Sequence, residues 1–447
     1  MARIGLTTPP PAVAPGTSVS TASTLAEQYR EVREATLALC APLTAEDCVV
    51  QSMPDASPAK WHLAHTTWFF EEFVLQQAGI AYEFHDPGYR FLFNSYYNAV
   101  GPMHARANRG LLSRPTVEEV RAYRAGVDAR MQRLLAAPAG IGPELARVVT
   151  LGLHHEQQHQ ELLLTDIKHL FSCNPLLPTY SQQMPGQRRP PTRAAPAVTF
   201  RRFPGGLVEI GCTAGPGAPD FCFDNELPRH RVYLRPFALA TRCVTNAEYL
   251  QFVQDGGYRE PALWLADGWT TVQREQWTRP IYWTPGLDAE FTLRGLIELD
   301  PHAPACHLSC YEADAFARWA EARLPTEFEW EIAAAEIPTS GNFVESGHYH
   351  PVTASHPAPT AQTDTPPLLQ MFGDVWEWTQ SAYAPYPGYR PAAGALGEYN
   401  GKFMVNQLVL RGGSCATPQT HIRPTYRNFF NPAARWQFSG ARLARDL

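Results

Sequence analysis

Near residue 174 the chain changes its hydrophobic period. Upstream, apolar residues recur at helical spacing in four long segments. Downstream, short β-rich pieces such as "VTFRRFPGGLVEIG" and "RHRVYLRPFALA" alternate with Gly, Pro and aromatic turns. Between them, "NPLLPTYSQQMPGQRRPPTRAAPAV" (174–198) is rich in Pro, Gln and Arg, a composition that extends rather than packs. At 447 residues the chain also exceeds one ordinary core. The expectation is an α+β two-domain protein without internal repeats. It divides into a disordered lead-in over 1–22, a helical bundle over 23–175, a linker over 176–198 and an irregular α+β domain over 199–447.

The bundle rests on four segments. "STLAEQYREVREATLALC" (23–40) begins with Ser and Thr caps, and "SPAKWHLAHTTWFFEEFVLQQAG" (57–79) closes on Gly79. "RPTVEEVRAYRAGVDARMQRLLAA" (114–137) puts Val117, Val120, Tyr123, Val127, Met131 and Leu134 on one stripe. "GPELARVVTLGLHHEQQHQELLLTDIKHLF" (142–171) is long and apolar on one side. Four amphipathic helices, with a long connection between the second and third, predict a four-helix bundle.

Bulk properties narrow the function. A net charge of −6 gives no basic footprint for nucleic acid. No apolar run approaches the ~20 residues a membrane span needs. The first residues, "MARIGLTTPPPAVAPGTSVSTAS", lack the basic start and apolar core of a signal peptide. The nine cysteines are odd in number and form no Cys-x-x-Cys, so reduced thiols in a cytoplasmic protein are expected.

"HHEQQHQE" (154–161) contains His-Glu-x-x-His. On a helix His155 and His159 lie ~40° apart and can grip one metal ion. Glu156 between them is either the base of a zinc peptidase or a residue with another task. The peptidase reading needs a third ligand downstream, and neither Glu161 nor His169, ~80° off that face, supplies a good one. Upstream, "WHLAHTTWFFE" offers His62 and His65, with Trp68 and Phe69 burying the turn after His65. Such histidines are often plain core residues. Facing a His-x-x-x-His helix in one bundle, His65, His155 and His159 are favoured as a neutral triad, with His62 the weaker candidate. Three imidazoles suit zinc, iron, copper or nickel, and leave about three open octahedral positions for a thiolate, a second substrate and O2. In "RFLFNSYYNAVGPMHARANRGLLSRP" (90–115), Tyr96 and Tyr97 can donate a proton or hydrogen atom, and Arg106 and Arg109 can hold a carboxylate. Aromatic packing with surface arginines is the alternative.

The strings "ELPRHRVYL", "CVTNAEYLQFVQDGGY", "RLPTEFEWEIAAA", "GDVWEWTQSAYAPYPGY", "LRGGSC" and "GARLAR" resemble the formylglycine-generating-enzyme (sulfatase-modifying factor) domain, with its C-type-lectin-like fold. "WHLAHTTWFFE" and "LGLHHEQQHQELLLTDI" resemble the DinB-like bundle. In this order, the two resemble the ergothioneine-biosynthesis sulfoxide synthases, the EgtB family, over all but the first ~20 residues. The resemblance implies Fe(II) on His65, His155 and His159, and makes Glu156 a structural or supporting residue. It implies O2-dependent joining of a thiol to C2 of the imidazole of Nα-trimethylhistidine (hercynine), with the sulfur left as sulfoxide. It places Gln158 on the hercynine imidazole and Asn428 on its carboxylate. A quaternary ammonium needs aromatic faces, and "YRNFFNPAARWQFSG" offers Tyr426, Phe429, Phe430, Trp436 and Phe438, at least two of them as core. A structural calcium in the C-terminal domain is left open. Family members that use γ-glutamylcysteine carry an acid near Asn428; here Phe429 and Phe430 follow it, which favours cysteine and a catalytic tyrosine from the Tyr96–Tyr97 pair. Three alternatives stand beside this reading: a formylglycine-generating oxidase, which needs a cysteine pair where only Cys415 occurs; a non-catalytic lectin-like binding module; and a zinc-dependent thiol transferase.

Overall fold

The structure, a computed structural model, describes residues 23–79, 82–137, 140–180, 194–213, 220–355 and 366–447. The expected lead-in over 1–22 and residues 181–193 of the expected linker lie outside the described residues.

The N-terminal half is built on α1 (Leu25–Cys40), α2 (Ala59–Phe73), the single turn α3 (Tyr89–Leu92), α4 (Val117–Leu135) and α5 (Pro143–Ser172). Helices α1 and α4 start at capping boxes, Thr24 with Glu27 and Thr116 with Glu119, so local chemistry sets both ends. Helix α5 starts with Pro143, whose fixed φ suits a first turn. Helix α2 packs on both α4 and α5, while α1 packs on α5 and α4.

Helix α2 departs from the amphipathic expectation, because every residue from Ala59 to Phe73 is buried. The segment between α2 and α4 folds back over its outer side and supplies partners for its polar groups. Lys60 Nζ donates to the carbonyls of Leu112 (2.6 Å) and Pro115 (2.8 Å). Glu71 accepts from Tyr82 Oη (2.6 Å), the His85 amide (2.8 Å) and Tyr123 Oη. Arg90 grips Glu72 with two bonds of 2.9 and 2.8 Å. Buried polar groups on a central helix are tolerated when bonded in this way.

One ion cluster joins all four long helices. Glu156 of α5 takes Arg33 Nη1 of α1 (2.7 Å), Arg124 Nη2 of α4 (2.5 Å) and Thr36 Oγ1 (2.6 Å). Arg33 also reaches Asp128 of α4 (2.7 Å) and Thr67 Oγ1 of α2 (2.9 Å). Burial raises the Glu156 pKa, but Arg124 and Arg33 outweigh it and hold the carboxyl at about 2. Close by, Gly152 lets α5 lie against α2. A Cβ there would stand 2.7 Å from Phe70 Cε1 and 2.8 Å from Phe69 Cε1, nearer than side chains approach.

The C-terminal half carries β1 (Phe200–Phe203), β2 (Gly206–Ile210), β3 (His230–Leu234), β4 (Phe237–Ala240), β5 (Ala289–Thr292), β6 (Gly295–Glu298), β7 (Trp376–Ala382), β8 (Leu408–Arg411), β9 (Asn428–Phe430), β10 (Ser439–Gly440) and β11 (Ala444–Asp446). They form a sheet in the order β1-β4-β11, a second in the order β10-β7-β8-β9, and the pairs β2-β3 and β5-β6. Helices α6 (Asn246–Gln254), α7 (Ala266–Glu275), α8 (Cys310–Trp319) and α9 (Glu327–Ala334) accompany them. Short strands and long connections make this the irregular α+β half expected from the sequence. One residue from the stretch expected to be a linker is anchored. Tyr180 is buried, donates to the Leu39 carbonyl of α1, and its amide bonds Leu293 O at 2.9 Å. No helix among the described residues is long and apolar enough to cross a membrane. All nine cysteines are unpaired.

Removing Glu156 takes the one fully buried carboxylate from two buried guanidiniums and leaves them only the part-exposed Asp128. Glu156→Ala is expected to cost about 3–5 kcal/mol in denaturant unfolding; a loss below ~1 kcal/mol would mean that the cluster does not hold the helices together.

Candidate metal centre and substrate cavity

Helix α5 divides its side chains among three surroundings. Glu156 and Gln160 face the bundle interior, where Gln160 Nε2 bonds Val32 O (2.9 Å) and Thr36 Oγ1 (3.0 Å). His154, Gln157, Gln158 and Glu161 meet the C-terminal half. His154 Nδ1 lies 3.0 Å from His421 Nδ1, Gln157 bonds Thr420 Oγ1 at 2.6 Å, and Gln158 Nε2 donates to Tyr426 Oη at 2.7 Å. Glu161 accepts from Trp376 Nε1 (2.8 Å), Ser414 Oγ (2.5 Å) and Thr417 Oγ1 (2.7 Å). The third face, His155, His159, Leu162 and Asp166, lines a cavity of about 380 Å³ between the two halves.

His65, which lies behind the wall rather than on it, meets His155 and His159, which line the cavity. His65 Nε2 and His155 Nε2 are 3.1 Å apart, and the three ring centroids lie 4.6–4.9 Å from one another. Among the described residues this is the one group of His, Cys, Asp or Glu placed to hold a metal ion. Burial, the leading cause in each case, pushes His155 down to about 3 and His65 and His159 well below the ordinary histidine value. All three are therefore neutral ligands at pH 7.

Their outer bonds choose the tautomers. His65 Nδ1 lies 2.6 Å from Phe93 O, so Nδ1 carries the proton and Nε2 keeps its lone pair. Asp166 Oδ2 accepts from His62 Nε2 (3.0 Å), which leaves His62 Nδ1 to accept from His159 Nδ1 at 2.8 Å. His159 Nε2 is thereby free. Carboxylate or carbonyl support behind ligating histidines orients them and raises their basicity. Two nitrogens ~2.1 Å from one first-row ion and at right angles would stand ~3 Å apart, so the pocket fits such an ion. His62 thus braces His159, and Glu156 turns away from the triad into its ion cluster.

The walls come from both halves. Tyr96, Arg106, Arg109, Gln158, Asn428, Phe429 and Phe430 all line the cavity. Tyr97 does not; it is buried behind Tyr96, with their rings 4.5 Å apart and their hydroxyls 3.4 Å apart. Trp436, expected as a substrate contact, does not reach the cavity, and its carbonyl pairs with His307 Nδ1 at 3.2 Å. Phe438 is core as well. Arg106 is exposed and donates to Asp55 O, whereas Arg109 is buried. Arg109 stacks 3.3 Å over the Trp61 ring, and its Nη groups reach Ser57 Oγ (2.9 Å) and Ser95 Oγ (3.0 Å). No carboxylate pairs with it among the described residues. Burial and then Arg106 lower its pKa, and the nearby Asp166 carboxylate opposes the shift without pairing with it.

Sequence reasoning missed Tyr399. It lines the cavity, donates from Oη to Gln158 Oε1, and stands edge-on to His155 at 5.6 Å. It lies in a single turn within "GALGEYNGKF", where no periodicity marks it. Glu398 ties that turn to the bundle by accepting from the amides of Asn98 (3.0 Å) and Ala99 (2.7 Å). Asp166 was also missed, although its place seven residues after His159 puts it on the ligand stripe.

Residues 187–447 match the sulfatase-modifying factor enzyme 1-like domain family, and residues 28–163 match the DinB superfamily. The hercynine oxygenase of Mycolicibacterium smegmatis is 34% identical over 95% of this chain and 99% of its own length. That of Mycobacterium tuberculosis is 33% identical, again over 95% and 99%. The chain belongs to the hercynine oxygenase family. The formylglycine-generating enzyme of Streptomyces coelicolor is 30% identical over 52% of this chain and 82% of its own. In this hercynine oxygenase relative Cys415 is buried and unpaired, and the cavity is built from α5 histidines rather than from cysteines.

Replacing His65, His155 or His159 with Ala is expected to weaken binding of one equivalent of Fe(II) or Co(II) by at least ~10-fold. His154→Ala is expected to keep the metal, because its imidazole meets His421 instead. Metal titration followed by elemental analysis checks both; retention by His155→Ala would refute the triad.

Proposed function

We propose that the protein is an Fe(II)- and O2-dependent sulfoxide synthase acting on hercynine and a thiol amino acid, with cysteine favoured over γ-glutamylcysteine. The thiol, the imidazole C2–H and O2 give the C–S-coupled sulfoxide and one water. The observation that carries this reading is the neutral three-histidine cluster, two of its rings on the wall of a cavity that mixes aromatic and polar side chains, with one buried guanidinium that makes no ion pair. Kinship with hercynine oxygenases along nearly the whole chain supports the substrate.

Fe(II) held by the three imidazoles supplies O2 reduction and a position for the thiolate sulfur. The chain's own residues do the rest. Gln158 is oriented by two phenols, since its Oε1 accepts from Tyr399 and its Nε2 donates to Tyr426, leaving one N–H for a substrate nitrogen. Asn428 Oδ1 accepts from the Phe429 amide at 2.9 Å, so its Nδ2 is the group available to a carboxylate. Phe403, Phe429, Phe430, Tyr96 and Tyr399 offer ring faces to a trimethylammonium, which cannot be hydrogen-bonded. Arg109 offers a fixed cation to the carboxylate of the thiol substrate. Burial pushes the Tyr96 and Tyr399 phenols up, so both hold their protons at pH 7. Tyr399, whose ring lies 5.6 Å from that of His155 and whose hydroxyl bonds Gln158, is the better placed proton donor, with Tyr96 as the second phenol on the wall.

Anaerobic iron-loaded protein given hercynine and either thiol, then O2, is expected to yield the coupled sulfoxide by mass spectrometry; no coupled product with either thiol would sink the proposal. Tyr399→Phe is expected to divert flux toward thiol sulfinate, Tyr96→Phe to do so less, and Tyr97→Phe to leave the product ratio near wild type. Arg109→Ala is expected to raise the KM for the thiol by ~10-fold or more, and exposed Arg106→Ala to raise it less.

A further inference from the structure

Four buried side-chain nitrogen or oxygen atoms belonging to residues of the cavity wall have no partner among the described residues: His155 Nδ1, Arg109 Nε, Gln437 Nε2 and Asp166 Oδ1. His155 belongs to the metal cluster. The other three are two donors and one acceptor, all on residues at most 5% exposed. Leaving such groups unpaired is costly and uncommon, so a cavity that collects them points to a ligand with the opposite pattern. An α-amino acid zwitterion has that pattern: a carboxylate that accepts and an ammonium that donates.

The two charges are held in a fixed relation. The Ser57 amide donates to Asp166 Oδ2 at 2.8 Å, and Ser57 Oγ accepts from Arg109 Nη1 at 2.9 Å, so one residue spaces the anion from the cation. Asp166 Oδ2 is fully used by Ser57 and by His62 Nε2 at 3.0 Å, which fixes the carboxylate plane. No Lys or Arg pairs with Asp166 among the described residues. One ring, His62, separates Asp166 from His159; another, Trp61, separates Arg109 from His65, on which it stacks at 4.5 Å. Both charges therefore lie near the metal ligands, at the thiolate end of a small substrate.

We infer that Asp166 receives the α-ammonium of the thiol substrate while Arg109 and Gln437 receive its carboxylate, so that the cavity selects an unacylated α-amino acid thiol. This deepens the functional reading above and rests on it. γ-Glutamylcysteine has an amide nitrogen where cysteine has its ammonium, and its own zwitterion lies several bonds further from sulfur. Asp166 is a binding residue here, distinct from its support of His62.

The test is calorimetry on the iron-loaded enzyme without O2, using L-cysteine, 3-mercaptopropionate (no ammonium), N-acetylcysteine and γ-glutamylcysteine. The wild type is expected to bind cysteine about tenfold or more tighter than 3-mercaptopropionate or N-acetylcysteine. Asp166→Asn is expected to weaken cysteine about tenfold while leaving 3-mercaptopropionate within about twofold. Gln437→Met is expected to weaken both alike. Equal wild-type affinity for cysteine and 3-mercaptopropionate overturns the assignment, and so does an equal loss of both in Asp166→Asn, which would reduce Asp166 to a support for His62. Should Asp166→Asn not fold, the wild-type series alone decides. Hercynine is titrated in parallel. If it binds normally, and couples once O2 is admitted, while Asp166→Asn leaves cysteine affinity unchanged, this assignment fails alone; if the wild type binds neither hercynine nor any thiol, the functional reading falls and takes the assignment with it.

Discussion

A carboxylate clamped between two guanidiniums, Glu156 with Arg33 and Arg124, fixes how helix α5 is rotated about its axis. A helix has one rotational freedom that apolar packing alone constrains weakly, since many side chains of similar size fill a groove. A buried ion pair does not slide, because losing one partner strands a charge in a low-dielectric interior. With Glu156 turned to the bundle centre, the residues beside it have no choice of direction. His155 and His159 face α2, and Gln158 and Glu161 face the C-terminal half. The histidine cluster, the contact with the C-terminal half and the cavity wall all follow from that one rotation.

Helix α2 meets the same constraint from the other side. It is buried all round yet carries Lys60, His62, His65, Glu71 and Glu72, so its burial depends on the loop that folds over it. That loop brings Phe93 O to His65, and also carries Tyr96 and Arg109 to the cavity. The segment that satisfies a buried helix thereby supplies part of a binding site. Gly152 completes the arrangement, because any side chain there would push α5 away from Phe69 and Phe70 and open the histidine cluster.

The cavity has two kinds of wall because two folds meet at it. The bundle half supplies imidazoles and Asp166 from its helices and Arg109 and Tyr96 from the covering loop; the C-terminal half supplies further rings and amides from loops and β9. Glu161 joins them, as a carboxylate buried among Trp376, Ser414 and Thr417. Burial raises its pKa and the three donors oppose that shift. Such bonds hold the halves in register, so that Tyr399 from one stands against His155 from the other.

The period of the apolar residues gave away the helices, and four-residue spacing gave away two histidines on one face. His65 was legible because aromatic neighbours announced a buried turn, whereas Asp166 went unread although it is a later position on the His155–His159 stripe. The order of motifs marked both halves and the family. The sequence did not reveal that α2 is covered on every side, since the covering loop has no period of its own. Nor did it separate Trp436, which turns away from the cavity, from Phe429 and Phe430 beside it, or exposed Arg106 from buried Arg109. Tyr399 escaped for the same reason. Periodic patterns are written in local backbone geometry and can be read one segment at a time. Which loop residue reaches a site is decided by the packing of the two halves against each other, whose contacts join positions hundreds of residues apart.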